Sequence, residues 1–102
     1  MIPMIPKVYE LLINSDKVVI FSKTGCFRSD DAKRLFDDIK QKYTAVELDR
    51  RDDGHLLQTH LGAMTGCMLT PGVFIGGRFI GGCKEVRDLY ECGELLKLLN
   101  QL

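Results

Sequence analysis

The chain has 102 residues, of which 45% are hydrophobic and 27% are charged, a composition typical of one globular domain. Its 14 Lys and Arg residues balance its 14 Asp and Glu residues. The sequence therefore lacks the basic excess that binding to nucleic acid or to an anionic membrane surface requires.

The sequence shows no targeting or membrane-spanning segment. No apolar run approaches the ~20 residues that cross a bilayer. The opening segment MIPMIPKVYELL also lacks the basic and apolar regions of a secretory signal. We therefore expect a single domain over residues 1–102, located in the cytoplasm, with no nucleic-acid partner and no membrane partner.

Hydrophobic periodicity and turn residues predict alternating helices and strands. In chain order we expect helix 6–14, strand 17–22, helix 29–43, strand 44–49, helix 54–66, hairpin strands 72–75 and 78–82, and helical segments 83–93 and 93–102. The first two strands, joined by a helix, should be parallel, whereas the hairpin strands are antiparallel. This order predicts a small mixed α/β sheet with helices on both faces.

Three details of this prediction concern which residues are buried or matched to a helix dipole. The first helix should bury Val8, Leu11 and Leu12, and the third should bury a stripe that ends at Met64. The continuous apolar run at 17–22 is typical of a strand buried on both faces. The second helix should have Lys40 and Lys42 near its end, where the helix dipole favours cations.

The four cysteines, Cys26, Cys67, Cys83 and Cys92, show no Cys-x-x-Cys spacing. With only two histidines and no metal-ligand spacing, a closed zinc site is not expected. Paired disulfides are not expected in a reducing compartment. We expect Cys92 to be structural.

Cys26 is the candidate nucleophile. It follows a predicted strand and directly precedes a predicted helix, whose first backbone N–H groups have no partner within the helix and favour a negative charge. Lys23 and Arg28 add positive charge nearby. We therefore expect the pKa of the Cys26 thiol to be lowered, since the thiolate is the charged form.

Two further stretches resemble binding elements. Pro71 lies just before a predicted strand, where a cis peptide bond is one of two interpretations. Gly81 and Gly82 precede Cys83 and a helix, and a glycine-rich helix start suits an anion such as a carboxylate.

Taken together, VVIFSKTGC (18–26), TPGVFIGGRFIGG (70–82) and the helix that follows resemble the glutaredoxins over essentially the whole chain. The resemblance implies a thioredoxin-like fold with a four-stranded mixed sheet flanked by helices, a groove for glutathione, and Cys26 as the catalytic nucleophile. It implies that the glutathione contacts come from Lys23, Phe27, Arg28, Thr70, Pro71, Gly82, Cys83 and Lys84.

The resemblance also implies a role for each part of the groove. Lys23 would pair with the glycine carboxylate of glutathione. The backbone of Thr70 and Pro71 would pair with its cysteinyl part, and Gly82 and Cys83 would hold the γ-glutamyl carboxylate.

The chain departs from the glutaredoxin pattern at several positions. The common active motif is Cys-Pro-Tyr-Cys, whereas this chain has Cys26-Phe27-Arg28-Ser29. Lys84 occupies the position of a common aspartate that meets the γ-glutamyl ammonium. Leu69 stands where a threonine is usual, and Met68 and Cys67 stand where polar or basic residues are frequent. We expect these changes to alter glutathione affinity.

With Ser29 in place of a second cysteine, no internal disulfide forms at the active site. The sequence then predicts a monothiol mechanism that removes glutathione from glutathionylated proteins or small disulfides, and it predicts little effect of Ser29→Ala. Two alternatives stay open. One is a carrier of a [2Fe–2S] cluster ligated by Cys26 and glutathione, which would be a dimer rather than the expected monomer. The other is a redox-inactive adaptor.

Overall fold

The structure is a computed structural model that describes residues 4–101. Its elements are α1 (Ile5–Ile13), β1 (Val18–Ser22), α2 (Phe27–Asp38), β2 (Thr44–Glu47), a 3₁₀ turn (Leu48–Arg50), α3 (Gly54–Thr65), β3 (Gly72–Ile75), β4 (Arg78–Gly81), α4 (Cys83–Glu91) and α5 (Glu94–Asn100). Among residues 4–101, none of the helices has both the length and the apolar character that spanning a bilayer requires.

The four strands form one mixed sheet in the order β2-β1-β3-β4. The central strand β1 pairs in parallel with β2 and antiparallel with β3, and β3 pairs antiparallel with β4. The mixed four-stranded sheet predicted from the sequence is therefore confirmed, including the parallel first pair and the hairpin.

Burial on both faces of β1 divides the core into two layers. Val18 and Ile20 pack on the side covered by α2, α4 and α5. Val19 and Phe21 pack on the other side, against α1 and α3. All four side chains are 0% exposed, so the prediction of a strand buried on both faces is confirmed.

The second helix differs from its prediction at both ends. It begins at Phe27 and ends at Asp38. Lys40 adopts a positive φ of 59°, its N–H donates to Asp37 O, and the N–H of Gln41 donates to Phe36 O. This pair of bonds terminates a helix, although no glycine marks the position. The prediction that Lys40 and Lys42 lie within the end of the helix is therefore wrong.

Two predicted apolar faces are also corrected. In α1 Val8 and Leu12 pack against the core, as predicted, but Leu11 is 65% exposed. The fully buried residues of this helix are Tyr9 and Ile13. In α3 the apolar stripe stops short of Met64, which is 62% exposed. The second predicted strand ends at Glu47 because the chain turns there into the 3₁₀ segment.

A close backbone contact at Gly54 gives a test of this packing. A Cβ at Gly54 would lie 1.7 Å from the carbonyl oxygen of Leu48, so Gly54→Ala must displace backbone. We expect a loss of about 3 kcal/mol in the free energy of unfolding, measured with urea.

Gly66→Ala is the matched control. Gly66 has a φ of +77°, and a Cβ added there would meet no heavy atom within 4 Å, so only backbone strain of about 1 kcal/mol is expected. Equal losses in the two variants would contradict the close contact at Gly54.

Candidate active site

Three backbone segments meet at one edge of the sheet. Phe21 lies opposite Gly72 in the antiparallel β1–β3 pair, so the loop after β1 lies beside the segment that leads into β3. Val73 lies opposite Gly81 in the β3–β4 pair, which brings the start of α4 to the same edge. The sheet register thus brings together stretches that are far apart in the sequence.

Cys26 occupies the N-cap position of α2 with extended backbone angles. Its half-buried Sγ lies 3.4 Å from Thr70 Oγ1 and 3.9 Å from the carbonyl oxygen of Thr70. The Thr70–Pro71 peptide bond is cis. The nucleophile predicted from the sequence therefore lies directly against the proline-containing segment.

The pKa of the Cys26 thiol is lowered, as predicted, and backbone N–H groups of the helix start contribute to the shift, as expected. Burial raises the pKa, and this effect is exceeded by the hydrogen bonds that a thiolate accepts from the hydroxyls of Ser29 and Thr70 and from the backbone N–H groups of Ser29 and Arg28. The charges of Lys23 and Arg28 are not among the leading causes, and Arg28 contributes through its backbone N–H.

The loop that carries Cys26 is fixed by Asp49. The Asp49 carboxylate accepts hydrogen bonds from the backbone N–H of Thr24, at 3.0 Å, and from the Thr24 hydroxyl. These bonds hold the pKa of Asp49 below its usual range. The 3₁₀ turn after β2 therefore positions the loop.

A cavity of about 530 Å³ lies beside Cys26. It is lined by Arg28, Cys67, Leu69, Thr70, Pro71, Gly82, Cys83, Lys84, Glu85 and Arg87. Six of the eight residues predicted to contact glutathione are in this set. Phe27 lies outside it and is 71% exposed, and Lys23 lines a separate depression with Asp49 and His55.

The start of α4 contributes groups that the sequence analysis missed. The N–H of Gly82 donates to Glu85 Oε1 at 2.9 Å, which places a carboxylate at the cavity wall. A Cβ on Gly81 would lie 2.7 Å from Glu85 Cβ, so this approach requires glycine. The Gly82-x-x-Glu85 spacing is that of a helix cap and could have indicated Glu85. No motif or spacing in the sequence indicated that Arg87 would line the cavity.

The remaining charged and thiol groups have simple surroundings. Lys84 is exposed and pairs with Asp88 at 3.0 Å. Cys92 is exposed and its thiol lies 3.5 Å from the carbonyl oxygen of Leu89, so no burial supports a structural role. Within residues 4–101 no group of three or more His, Cys, Asp or Glu side chains is arranged to hold a metal ion.

The comparison with known proteins agrees with this geometry. A sequence model of the glutaredoxin family matches residues 18–80. A glutaredoxin from Ricinus communis is 43% identical over 90 residues, which make up 88% of this chain and 88% of that protein.

Two solved structures are similar over nearly the whole chain. The crystal structure of the holo form of glutaredoxin C1 from Populus tremula x tremuloides has a TM-score of 0.94 and 40% identity, covering 97% of this chain and 98% of that one. The crystal structure of the buckwheat glutaredoxin–glutathione complex has a TM-score of 0.93 and 39% identity, covering 96% and 89%. The predicted thioredoxin-like architecture is confirmed by this similarity.

Asp49→Ala tests the anchoring of the loop. The variant removes both bonds to Thr24, so we expect faster hydrogen exchange of the Thr24 amide and slower alkylation of Cys26 by iodoacetamide, by several-fold, because the loop no longer holds the sulfur in place. Asp52→Ala, an exposed change in the same region, is the control. Unchanged exchange at Thr24 would show that Asp49 does not anchor the loop.

Proposed function

Because this chain belongs to the glutaredoxin family, whose members are glutathione-dependent thiol oxidoreductases, we propose that it removes glutathione from mixed disulfides by a monothiol mechanism. The substrates are glutathionylated proteins or small disulfides, and the reducing co-substrate is glutathione. A cytoplasmic location is part of the proposal, since the reaction needs a reducing glutathione pool.

The proposed reaction has two exchange steps. The Cys26 thiolate attacks the glutathionyl sulfur of the mixed disulfide; the disulfide bond breaks, and the substrate sulfur leaves with the electron pair and takes up a proton. A second glutathione, as thiolate, then attacks the glutathionyl sulfur bound to Cys26. Glutathione disulfide forms and the Cys26 thiolate is regenerated.

One observation carries the proposal: Cys26 lies at a helix N-cap where hydrogen bonds lower its pKa, beside a cavity that is open to a ligand. A thiolate at neutral pH is the nucleophile that such exchange requires. Ser29 occupies the position at which a resolving thiol would lie, so regeneration is assigned to a second glutathione.

The charges around the cavity suit the two ends of glutathione. Arg28, Arg87 and the start of α4 supply positive partners for a carboxylate. Glu85 supplies the acidic partner for the γ-glutamyl ammonium, which the sequence at position 84 lacks. The glycine carboxylate would extend past Cys26 towards Lys23.

Cys26→Ser tests the nucleophile. We expect turnover of a glutathionylated peptide to fall to the uncatalysed rate, because a serine hydroxyl is not ionised at neutral pH. Cys92→Ser, at an exposed thiol outside the cavity, is the matched control and should keep its activity. Intact turnover in Cys26→Ser would refute the proposal.

The same samples distinguish the two alternatives. A cluster carrier purified without oxygen would show visible charge-transfer absorbance that is lost in Cys26→Ser. A redox-inactive adaptor would show no glutathione-linked turnover in the unmodified chain.

Lys84→Asp tests the γ-glutamyl end of the groove. The change removes a cation and adds a carboxylate at the cavity wall, so we expect glutathione to bind about three times more tightly, as for one exposed charge pair. Calorimetric titration measures this, with Lys97→Asp on α5 as a control of equal charge change. Equal affinities in the two variants would refute this role for position 84.

A further inference from the structure

The hydroxyl of Ser29 is buried without a well-aligned hydrogen-bond partner, although it lies within reach of the Cys26 sulfur. The side chain is 0% exposed, and among residues 4–101 Ser29 Oγ is the one buried side-chain nitrogen or oxygen that forms no hydrogen bond. Burying an unpaired hydroxyl opposes folding. A group held at such a cost calls for an explanation.

The position of Ser29 supplies one. Cys26 is the N-cap residue and Ser29 is the third residue of α2, so one helical turn places the two side chains at the same end of the helix. The backbone N–H of Ser29 already points at the sulfur of Cys26. A neutral thiol is a weak acceptor, whereas a thiolate is a strong one.

We propose that the hydrogen bond from the Ser29 hydroxyl to Cys26 Sγ, formed when that sulfur carries negative charge, serves chiefly to make Cys26 a good leaving group. The inference rests on the proposed monothiol reaction. It replaces the expectation that Ser29 only prevents an internal disulfide.

The two exchange steps respond differently to this bond. In the first step a stabilised thiolate is more abundant but intrinsically less nucleophilic, so the two effects partly cancel. In the second step the incoming glutathione sulfur bonds to the glutathionyl sulfur, and Cys26 Sγ leaves with the electron pair. Stabilising the leaving thiolate speeds this step with no opposing effect.

The other polar and charged groups around the Cys26 sulfur come from four segments, and their positions do not depend on Ser29. The α2 start contributes Arg28, and the preceding loop contributes Lys23. The segment before β3 contributes Thr70 and the thiol of Cys67. The start of α4 contributes the cavity-lining groups Cys83, Lys84, Glu85 and Arg87. Lys84 is paired with Asp88 and Glu85 with the Gly82 N–H. Thr70 Oγ1 is the other hydroxyl within reach of the sulfur, but its side chain is only half-buried, so water can replace it.

Ser29→Ala tests the inference through three measurements on the full chain. The ionisation of Cys26 is followed by thiolate absorbance against pH, with Cys26→Ser as the blank. The first step is followed as single-turnover transfer of glutathione from a glutathionylated peptide to Cys26, by mass spectrometry. The second step is followed by mixing the isolated glutathionyl-Cys26 protein with glutathione.

We expect Ser29→Ala to raise the pKa of Cys26, to slow the first step at neutral pH by about threefold, and to slow the second by a factor approaching tenfold. At acidic pH, where the absorbance titration shows the thiol to be protonated, the melting temperature should stay the same or rise, because a buried hydroxyl without a strong acceptor has been removed. A lowered folded-state pKa stabilises the fold only as pH rises above it, so the advantage of alanine should shrink towards pH 9.

Ser22→Ala is the matched control. Ser22 is also 0% exposed, but its hydroxyl donates to Glu47 and lies away from Cys26. This variant should lose stability and leave the pKa of Cys26 and both exchange rates unchanged.

An unchanged pKa of Cys26 in Ser29→Ala, or equal slowing of both steps, would overturn the inference while leaving the proposed function intact. Failure of the proposed function has a different signature, namely turnover that survives in Cys26→Ser.

Discussion

The antiparallel pairing of β1 with β3 determines where every functional group lies. Because Phe21 is opposite Gly72, the loop that carries Cys26 and the segment that ends at Pro71 leave the sheet at the same edge. The β3–β4 hairpin returns the chain to that edge, so α4 begins there. A slip of one residue in this register would turn alternate side chains to the opposite face. It would thereby exchange the two layers of the core, and for this reason the burial of β1 on both faces also fixes the site.

Short-range hydrogen bonds, rather than net charge, set the electrostatics at Cys26. Lys23 and Arg28 are close in sequence, but Arg28 is exposed, and water and salt screen an exposed charge. Hydroxyl and backbone N–H donors that touch the sulfur act without such screening and point in one direction. The chain as a whole has no net charge. The local donors therefore favour a thiolate without a basic excess over the whole chain.

The sequence predicted the sheet, the nucleophile and most of the cavity wall because these follow from periodicity and from a motif order that the resemblance could recognise. What it missed depends on tertiary geometry. Lys40 ends α2 in a left-handed conformation that glycine usually adopts, so nothing in the residue type marked it. The stripe of α1 includes Tyr9 and Ile13 because α3 and the sheet define which side is inside. The Glu85 side chain reaches the cavity wall because Gly81 and Gly82 have no side chains. This leaves room for Glu85 to pack closely against the two glycines.

The role of Ser29 could not be inferred from the sequence motif alone. In the sequence, Ser29 shows only that the second thiol of the motif is missing. A missing thiol assigns no role to the serine that replaces it. In the structure the same hydroxyl is sealed from water one turn from the sulfur, where it destabilises the neutral state of the site and stabilises the charged one. Removing the hydroxyl would stabilise the protein while the thiol is protonated. The proposed reaction expels a thiolate in each turnover and is therefore faster with the hydroxyl in place. The unpaired donor thus lowers stability slightly and lies where the proposed reaction creates an acceptor.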